Sequence, residues 1–173
     1  DLYQVAMLEY TSSPSASGGI FNLGGGMEYQ LTDYETGVAD TIFNSGAAVI
    51  SAGYNLNQFH AGLFYSKTID GDFKDGYRSR LNLSYSLRNK SDEIYLLVGA
   101  GKFAPSAKDI LYVSNHFIWN NNFSLLEQYD ITGGFTLSKL RLNVEVRSRT
   151  SKNLIFYRED YLPQSFGDFV TVS

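Results

Sequence analysis

Six arginines stand in two short stretches of this chain: Arg78, Arg80 and Arg88, then Arg141, Arg147 and Arg149. In both stretches polar and apolar residues alternate. Across 77–88, Tyr77, Ser79, Leu81, Leu83, Tyr85 and Leu87 take one face while Arg78, Arg80, Asn82, Ser84, Ser86 and Arg88 take the other. Across 140–149, Leu140, Leu142, Val144 and Val146 oppose Arg141, Asn143, Glu145, Arg147 and Arg149. A guanidinium is a planar fork that stays charged and binds carboxylate or phosphate through paired hydrogen bonds, so arginines facing a water-filled passage favour anions. The competing reading is neutralisation, in which Glu28 and Glu145, with Glu93 or Glu127, pair with these arginines and fill a narrow interior. Interior size separates the two readings, because about eight strands leave a barrel just filled by side chains and more strands leave space.

Other residues offer less chemistry. His60 and His116 are the only imidazoles. His60 and Ser66 share a strand face but lie ~20 Å apart at strand rise. Ser114 and His116 share a face at i, i+2, so a barrel-embedded hydrolase built on His116 would need a carboxylate from a neighbouring strand. Ser-x-His is common by chance, and no catalytic residue is expected. The run Gly99-Ala100-Gly101-Lys102-Phe103-Ala104 imitates the start of a dinucleotide-binding turn, but that turn requires a parallel sheet and a following helix. Glycines in a curved strand account for it better. With no cysteine, thiolate zinc sites and cysteine nucleophiles are excluded, and no metal or cofactor is expected.

The elements that must position these residues have a period of two. The split recurs at 21–31, with Phe21, Leu23, Met27, Tyr29 and Leu31 against Asn22, Gly24, Gly26, Glu28 and Gln30, and less cleanly at 48–56 and 59–67. No window carries a helical stripe. Clusters of turn-forming residues fall near 11–18, 32–35, 44–46, 57–58, 69–76, 89–92, 104–108, 120–122, 138–139, 151–153 and 163–165. They predict a single all-β domain over 1–173: a closed antiparallel transmembrane β-barrel, with about twelve strands favoured and eight or ten left open. Strand 36–43 and the last three breaks are its least marked features.

Alternation alone does not say which face meets water. Composition does. The 173 residues include 13 Tyr, 12 Phe and 1 Trp, yet only 18% are charged, which suits a surface in contact with something other than water. Aromatics fall at or near strand ends (Tyr10, Tyr29, Tyr34, Phe43, Tyr54, Phe59, Tyr77, Phe103, Trp119, Phe123), where membrane interfaces collect them. The apolar segments run to ~9–11 residues, the span of a tilted transmembrane strand, and no apolar run reaches the ~18 residues of a transmembrane helix. The net charge of −4 argues against a globally basic nucleic-acid binder. The opening DLYQVAMLEY reads as a strand and not as a basic-then-apolar leader, so if the chain is exported the expectation is that this is its mature form.

The repeated dyads GGIFNLGGGMEYQL, GYRSRLNLSYSLRN and LSKLRLNVEVRSR give the chain its resemblance to bacterial outer-membrane β-barrel proteins. In size and short loops it is similar to small monomeric porins for acidic oligosaccharides. Such proteins usually end in an aromatic residue, whereas this chain ends FGDFVTVS. The resemblance implies a Gram-negative outer membrane, contact with its lipid, and a passive channel whose arginine-bearing lumen admits small anionic solutes or acidic oligosaccharides. A plugged structural or partner-binding barrel is the alternative. Break alternation predicts that 11–18, 44–46, 69–76 and 104–108 share one rim, where a protein partner would bind, with 11–18 and 69–76 as the longest connections.

Overall fold

The computed structural model describes residues 2–14, 18–35, 40–87, 91–113, 118–167 and 170–172. Nine strands form one sheet: β1 (Leu2–Thr11), β2 (Ile20–Glu35), β3 (Asp40–Leu56), β4 (Phe59–Gly71), β5 (Tyr77–Ser86), β6 (Glu93–Phe103), β9 (Leu126–Leu137), β10 (Leu142–Lys152) and β13 (Val170–Val172). Every neighbouring pair is antiparallel. The rest of the chain makes a four-residue helix α1 (Ala107–Ile110), a ribbon of β7 (Leu111–Val113) with β8 (Ile118–Asn120), and a ribbon of β11 (Leu154–Tyr157) with β12 (Pro163–Phe166).

The all-β antiparallel fold is as expected, and the strand count differs. Among the described residues the main sheet has nine strands and no pairing joins β1 to β13, so closure is not seen. Nine alternating strands also leave β1 and β13 running in the same direction. The expected breaks at 32–35 and 44–46 lie inside β2 and β3, and of the expected strand 36–43 the described residues 40–43 belong to β3. Its residues 36–39 lie outside the described residues, and Asp40 already pairs with Glu35. The physical reason is length: β2 has 16 residues and β3 has 17, so both strands run on through these polar clusters and the chain reverses beyond them. Asn44 shows this use of a turn-type residue. Its N–H donates to Asp72 Oδ2 at 2.9 Å and its carbonyl accepts from the Asp72 N–H at 3.0 Å, tying β3 to the next hairpin's turn beside the bulge at Gly46/Ala47.

The order of strands also fixes the rims. Turns at 12–19, 57–58, 87–92 and 138–141 lie on one rim. Those at 72–76, 104–125 and 153–169 lie on the other. The expected common rim is therefore corrected: 11–18 is opposite 69–76 and 104–108, and 44–46 is strand. The longest connections are also 104–125 and 153–169, which carry the two ribbons.

On the first rim, adjacent turns are latched. The Ser138 N–H donates to Asp92 Oδ1 at 2.7 Å, and the Ser138 hydroxyl lies 2.6 Å from both that oxygen and the Ser91 carbonyl. The hydrogen bonds from the Ser138 hydroxyl and backbone hold the Asp92 carboxyl below its usual range. A carboxyl lowered on folding adds stability above its unfolded pKa of ~3.9, and that contribution is lost as pH falls through the lower, folded value. Amide exchange should therefore show Ser138 N–H protection constant from neutral pH to about pH 4 and falling below it. Asp92→Asn should remove the pH dependence.

Candidate functional site

The register gives the sheet two unlike faces. One carries Asn22, Glu28, Gln30, Ser45, Ser51, Ser66, Thr68, Arg78, Arg80, Asn82, Asp130, Thr132, Glu145, Arg147, Arg149 and Ser151. The other carries Leu23, Met27, Ile50, Leu63, Leu81, Leu83, Leu96, Val98, Ile131 and Val146. Burial decides which face is inside. On the polar face Ser66 is 4% exposed, Thr132 3% and Val49 2%, whereas on the apolar face Leu63 is 50% and Ile131 53% exposed. The polar face is the inner wall. It is concave, because residues from β2 through β6 line a single cavity of about 520 Å³.

Two cross-wall contacts shape that interior. Arg78 Nη2 on β5 donates to both Glu28 carboxylate oxygens at 2.8 Å, and the Ser66 hydroxyl donates to Glu28 Oε2 at 3.2 Å. Glu28 is on β2, three strand spacings or ~14 Å from β5, so the pair braces the wall over β3 and β4. The guanidinium also stands 5.5 Å over the Phe64 ring. Its side chain is 47% exposed, so solvent screening keeps the pair's worth within the ~0–1 kcal/mol of a surface ion pair. The second contact runs from the Tyr95 hydroxyl on β6 to Glu145 Oε2 on β10 at 2.7 Å, across β9. Gly134 lies beneath it: a Cβ there would meet Val144 O at 2.6 Å and Tyr95 Oη at 2.7 Å. Gly99 serves Asp130 in the same way, since a Cβ would meet Asp130 Oδ1 at 2.5 Å. The glycines of the dinucleotide-like run thus make room on an antiparallel strand.

The six expected arginines separate by position. Arg78, Arg80, Arg147 and Arg149 lie on the inner wall in β5 and β10. Arg147 is 3.4 Å from Glu145 and its Nε donates to the Thr132 hydroxyl at 3.2 Å, so Arg78 and Arg147 are both partnered by carboxylates. Arg80 and Arg149 make no ion pair among the described residues. They share one cross-strand row, Arg80–Gly99–Asp130–Arg149, which sets two guanidiniums against one carboxylate. Arg141 is corrected: it sits in the turn after β9 with φ 50, left-handed and off the strand, because a 3-10 turn over Ser138–Leu140 delays the start of β10. Arg88 lies outside the described residues, as do Ser114 and His116. His60 is exposed and hydrogen-bonds to Asn55. The wall also bears Glu9, Glu28, Glu93, Asp130 and Glu145, so its charge is mixed. Glu127 instead faces outward, 2.9 Å from Lys102.

On the outer face the aromatics form two belts. Tyr10, Phe21, Tyr54, Phe59 and Tyr85 lie toward the 57–58 rim, and Tyr29, Tyr65, Tyr77 and Tyr129 toward the other, with Tyr65 and Tyr77 stacked at 6.4 Å. Phe21 to Tyr29, and Tyr77 to Tyr85, each span ~26 Å along the strand, close to the ~25 Å lipid-facing band of membrane barrels. Just beyond Tyr65 and Tyr129 come Lys67, Lys102, Glu127 and Lys152, charges placed where headgroups begin. Tyr34, Phe43 and Phe103, expected in a belt, face the inner wall instead.

The second rim is narrowed from above. Residues 104–107 fold over the cavity that Glu28 and Arg78 line, and α1 packs against β2. Asp109 joins the two long connections, accepting from the Ser106 hydroxyl through Oδ2 at 2.6 Å and from Tyr157 through Oδ1. Burial, then this carboxylate, pushes the Tyr157 hydroxyl up to about 12. The excursion was missed because its apolar runs, Ile110 to Val113 and Phe117 to Trp119, read as part of a sheet strand; its sequence signal was the cluster Pro105, Ser106 and Asp109, a helix start.

A polar inner face beneath an apolar, aromatic-belted outer face inverts the burial of a water-soluble β-protein and points to the class of membrane β-barrels. No helix among the described residues is long and apolar enough to cross a membrane. Over residues 21–173 the chain matches the family described as "Putative porin", and it belongs to that family. No match was found among curated proteins or among solved structures.

Proposed function

We propose that this protein is a passive, porin-like channel of a bacterial outer membrane that admits small anionic solutes. The observation carrying the channel is the inverted burial of the two faces, with a cavity of about 520 Å³ on the polar side. Support for anions is narrower than six arginines. With Arg78 and Arg147 paired, the row of Arg80 and Arg149 around Asp130 supplies the local positive field. Fixed guanidiniums there replace part of an anion's hydration and repel cations. The rim bearing 104–125 and 153–169 is assigned to the cell exterior, because outer-membrane barrels carry their longer loops on that side. The family supports a channel over an enzyme.

Reversal potentials in planar bilayers under a salt gradient test this. Wild-type protein should conduct with an anion preference, and Arg80→Ser with Arg149→Ser together should lower the anion-to-cation permeability ratio severalfold. An unchanged ratio would remove these residues from selectivity. Folded protein without conductance would favour the plugged barrel, for which the 104–107 segment over the cavity is the relevant feature.

A further inference from the structure

Lysines are placed unevenly on the outer face. One cross-strand row, Lys67–Tyr77–Lys102–Glu127–Lys152, runs from β4 to β10 just past the belt toward the 72–76 rim. Its three lysines recur at every second strand, ~10 Å apart, with one carboxylate between the last two. The Lys102 ammonium is fixed at this surface, 2.9 Å from Glu127 Oε1, and the charge of Lys152 also acts on Glu127. Beside it the Tyr77 and Tyr129 hydroxyls hydrogen-bond each other, and the Tyr77 ring stacks on Tyr65 at 6.4 Å. Three ammoniums against one carboxylate leave the row an excess of positive charge; Asp70, the next acid along β4, stands ~10 Å beyond it. The other end of the same face finishes on Leu56, Phe59, Tyr85, Ile94, Phe135 and Val144, with no charged side chain there among the described residues.

We infer that this row binds the phosphate of an anionic lipid headgroup and so enriches such lipids around the protein in one leaflet. A zwitterionic headgroup brings its own ammonium to the surface and gains little from lysines there, whereas a phosphate without one is drawn to them. The lysine stem lies along hydrocarbon while its compact, rotatable ammonium meets the phosphate layer. Tyr77 stands between Lys67 and Lys102, so a phosphate over it has a lysine on either side. The bond between Tyr77 and Tyr129 uses one of their two hydroxyl protons and leaves the other to donate to that phosphate. The bare opposite end confines the attraction to one side of the membrane. The inference rests on the apolar face meeting lipid and not on an open channel.

Electron spin resonance of the full chain in phosphatidylcholine vesicles tests this, because lipid held at a protein surface is immobilised. Spin-labelled phosphatidylglycerol and spin-labelled phosphatidylcholine are added separately in trace amount. Phosphatidylglycerol should be enriched about fivefold in the immobilised fraction, and about 1 M salt, with a screening length of about 3 Å, should remove the enrichment. Lys67→Gln with Lys102→Gln and Lys152→Gln should bring the two lipids to near equality, with heat-modifiable gel migration reporting folding. Glu127→Gln should raise the enrichment, a direction that mere loss of an ion pair would not produce, and it carries the test if the triple variant does not fold. Lys139→Gln, in the turn on the opposite rim, should change nothing. Equal immobilisation of the two lipids by wild-type protein, enrichment unaltered in the folded triple variant, or a fall with Glu127→Gln each overturns the inference. No immobilised component with either lipid would overturn the lipid-facing reading itself; enrichment without conductance would overturn the channel and leave the row standing.

Discussion

Leu63→Arg should cost about 2–4 kcal/mol of stability in a bilayer, the penalty for a guanidinium on the lipid face near the midplane of a membrane barrel. Leu63 is on the outer face of β4 between the belt residues Phe59 and Tyr65, and it is half exposed although no water-soluble sheet of this size would leave so many large side chains uncovered. An arginine there has no inner carboxylate to meet and must snorkel past a ring of tyrosines. Gln30→Arg is the control. Gln30 lines the inner cavity, so its replacement should change stability by less than ~1 kcal/mol, the range of an exposed charge. Urea titration of folded protein in vesicles measures both. Equal effects at the two positions would mean that both faces meet water.

Gly134→Val should damage the inner wall where β9 meets β10. Its first added carbon would stand 2.6 Å from the Val144 carbonyl, a backbone atom of the neighbouring strand, and 2.7 Å from the Tyr95 hydroxyl. The ring can swing away; the carbonyl moves only if β9 and β10 part. Overpacking of this kind costs ~1–3 kcal/mol, and it also breaks the bond from Tyr95 to Glu145. Released from Tyr95, Glu145 keeps Arg147 as its partner at 3.4 Å, so selectivity should change less than stability. Gly133→Val, one residue earlier on the outward face, would meet its nearest atoms at 3.8 Å and should be tolerated. A thermal shift as large for Gly133→Val as for Gly134→Val would contradict this role.

What the sequence made legible was the side on which each residue stands. The alternation across 77–86 survives in β5 residue by residue, and Asn57-Gln58 reverses the chain with Asn57 at φ 53, as turn chemistry requires. Strand length was not legible, because a polar cluster reads the same whether the chain turns or the strand runs on through it. Thr32–Glu35 and Asn44–Gly46 are of the second kind. That confusion split β3, displaced the rim assignment and raised the strand count. The site was half legible. Arg78 and Glu28 were both visible as inward residues, but their pairing depends on curvature that brings β2 over to β5, fifty residues away. Arg141 was misplaced because nothing local distinguishes it from Arg147; only the 3-10 turn before it does.

A channel requires that the apolar face of the sheet meet lipid and the polar face meet water. The chain has no cysteine, so single-cysteine variants along β4 at Ala61, Gly62, Leu63, Phe64, Tyr65 and Ser66 can carry a spin label one at a time in vesicles. Collision with oxygen, which partitions into lipid, should be high at 61, 63 and 65. Collision with a water-soluble nickel chelate should be high at 62, 64 and 66. The reverse alternation would place the apolar face in a sealed interior and contradict the channel at its foundation.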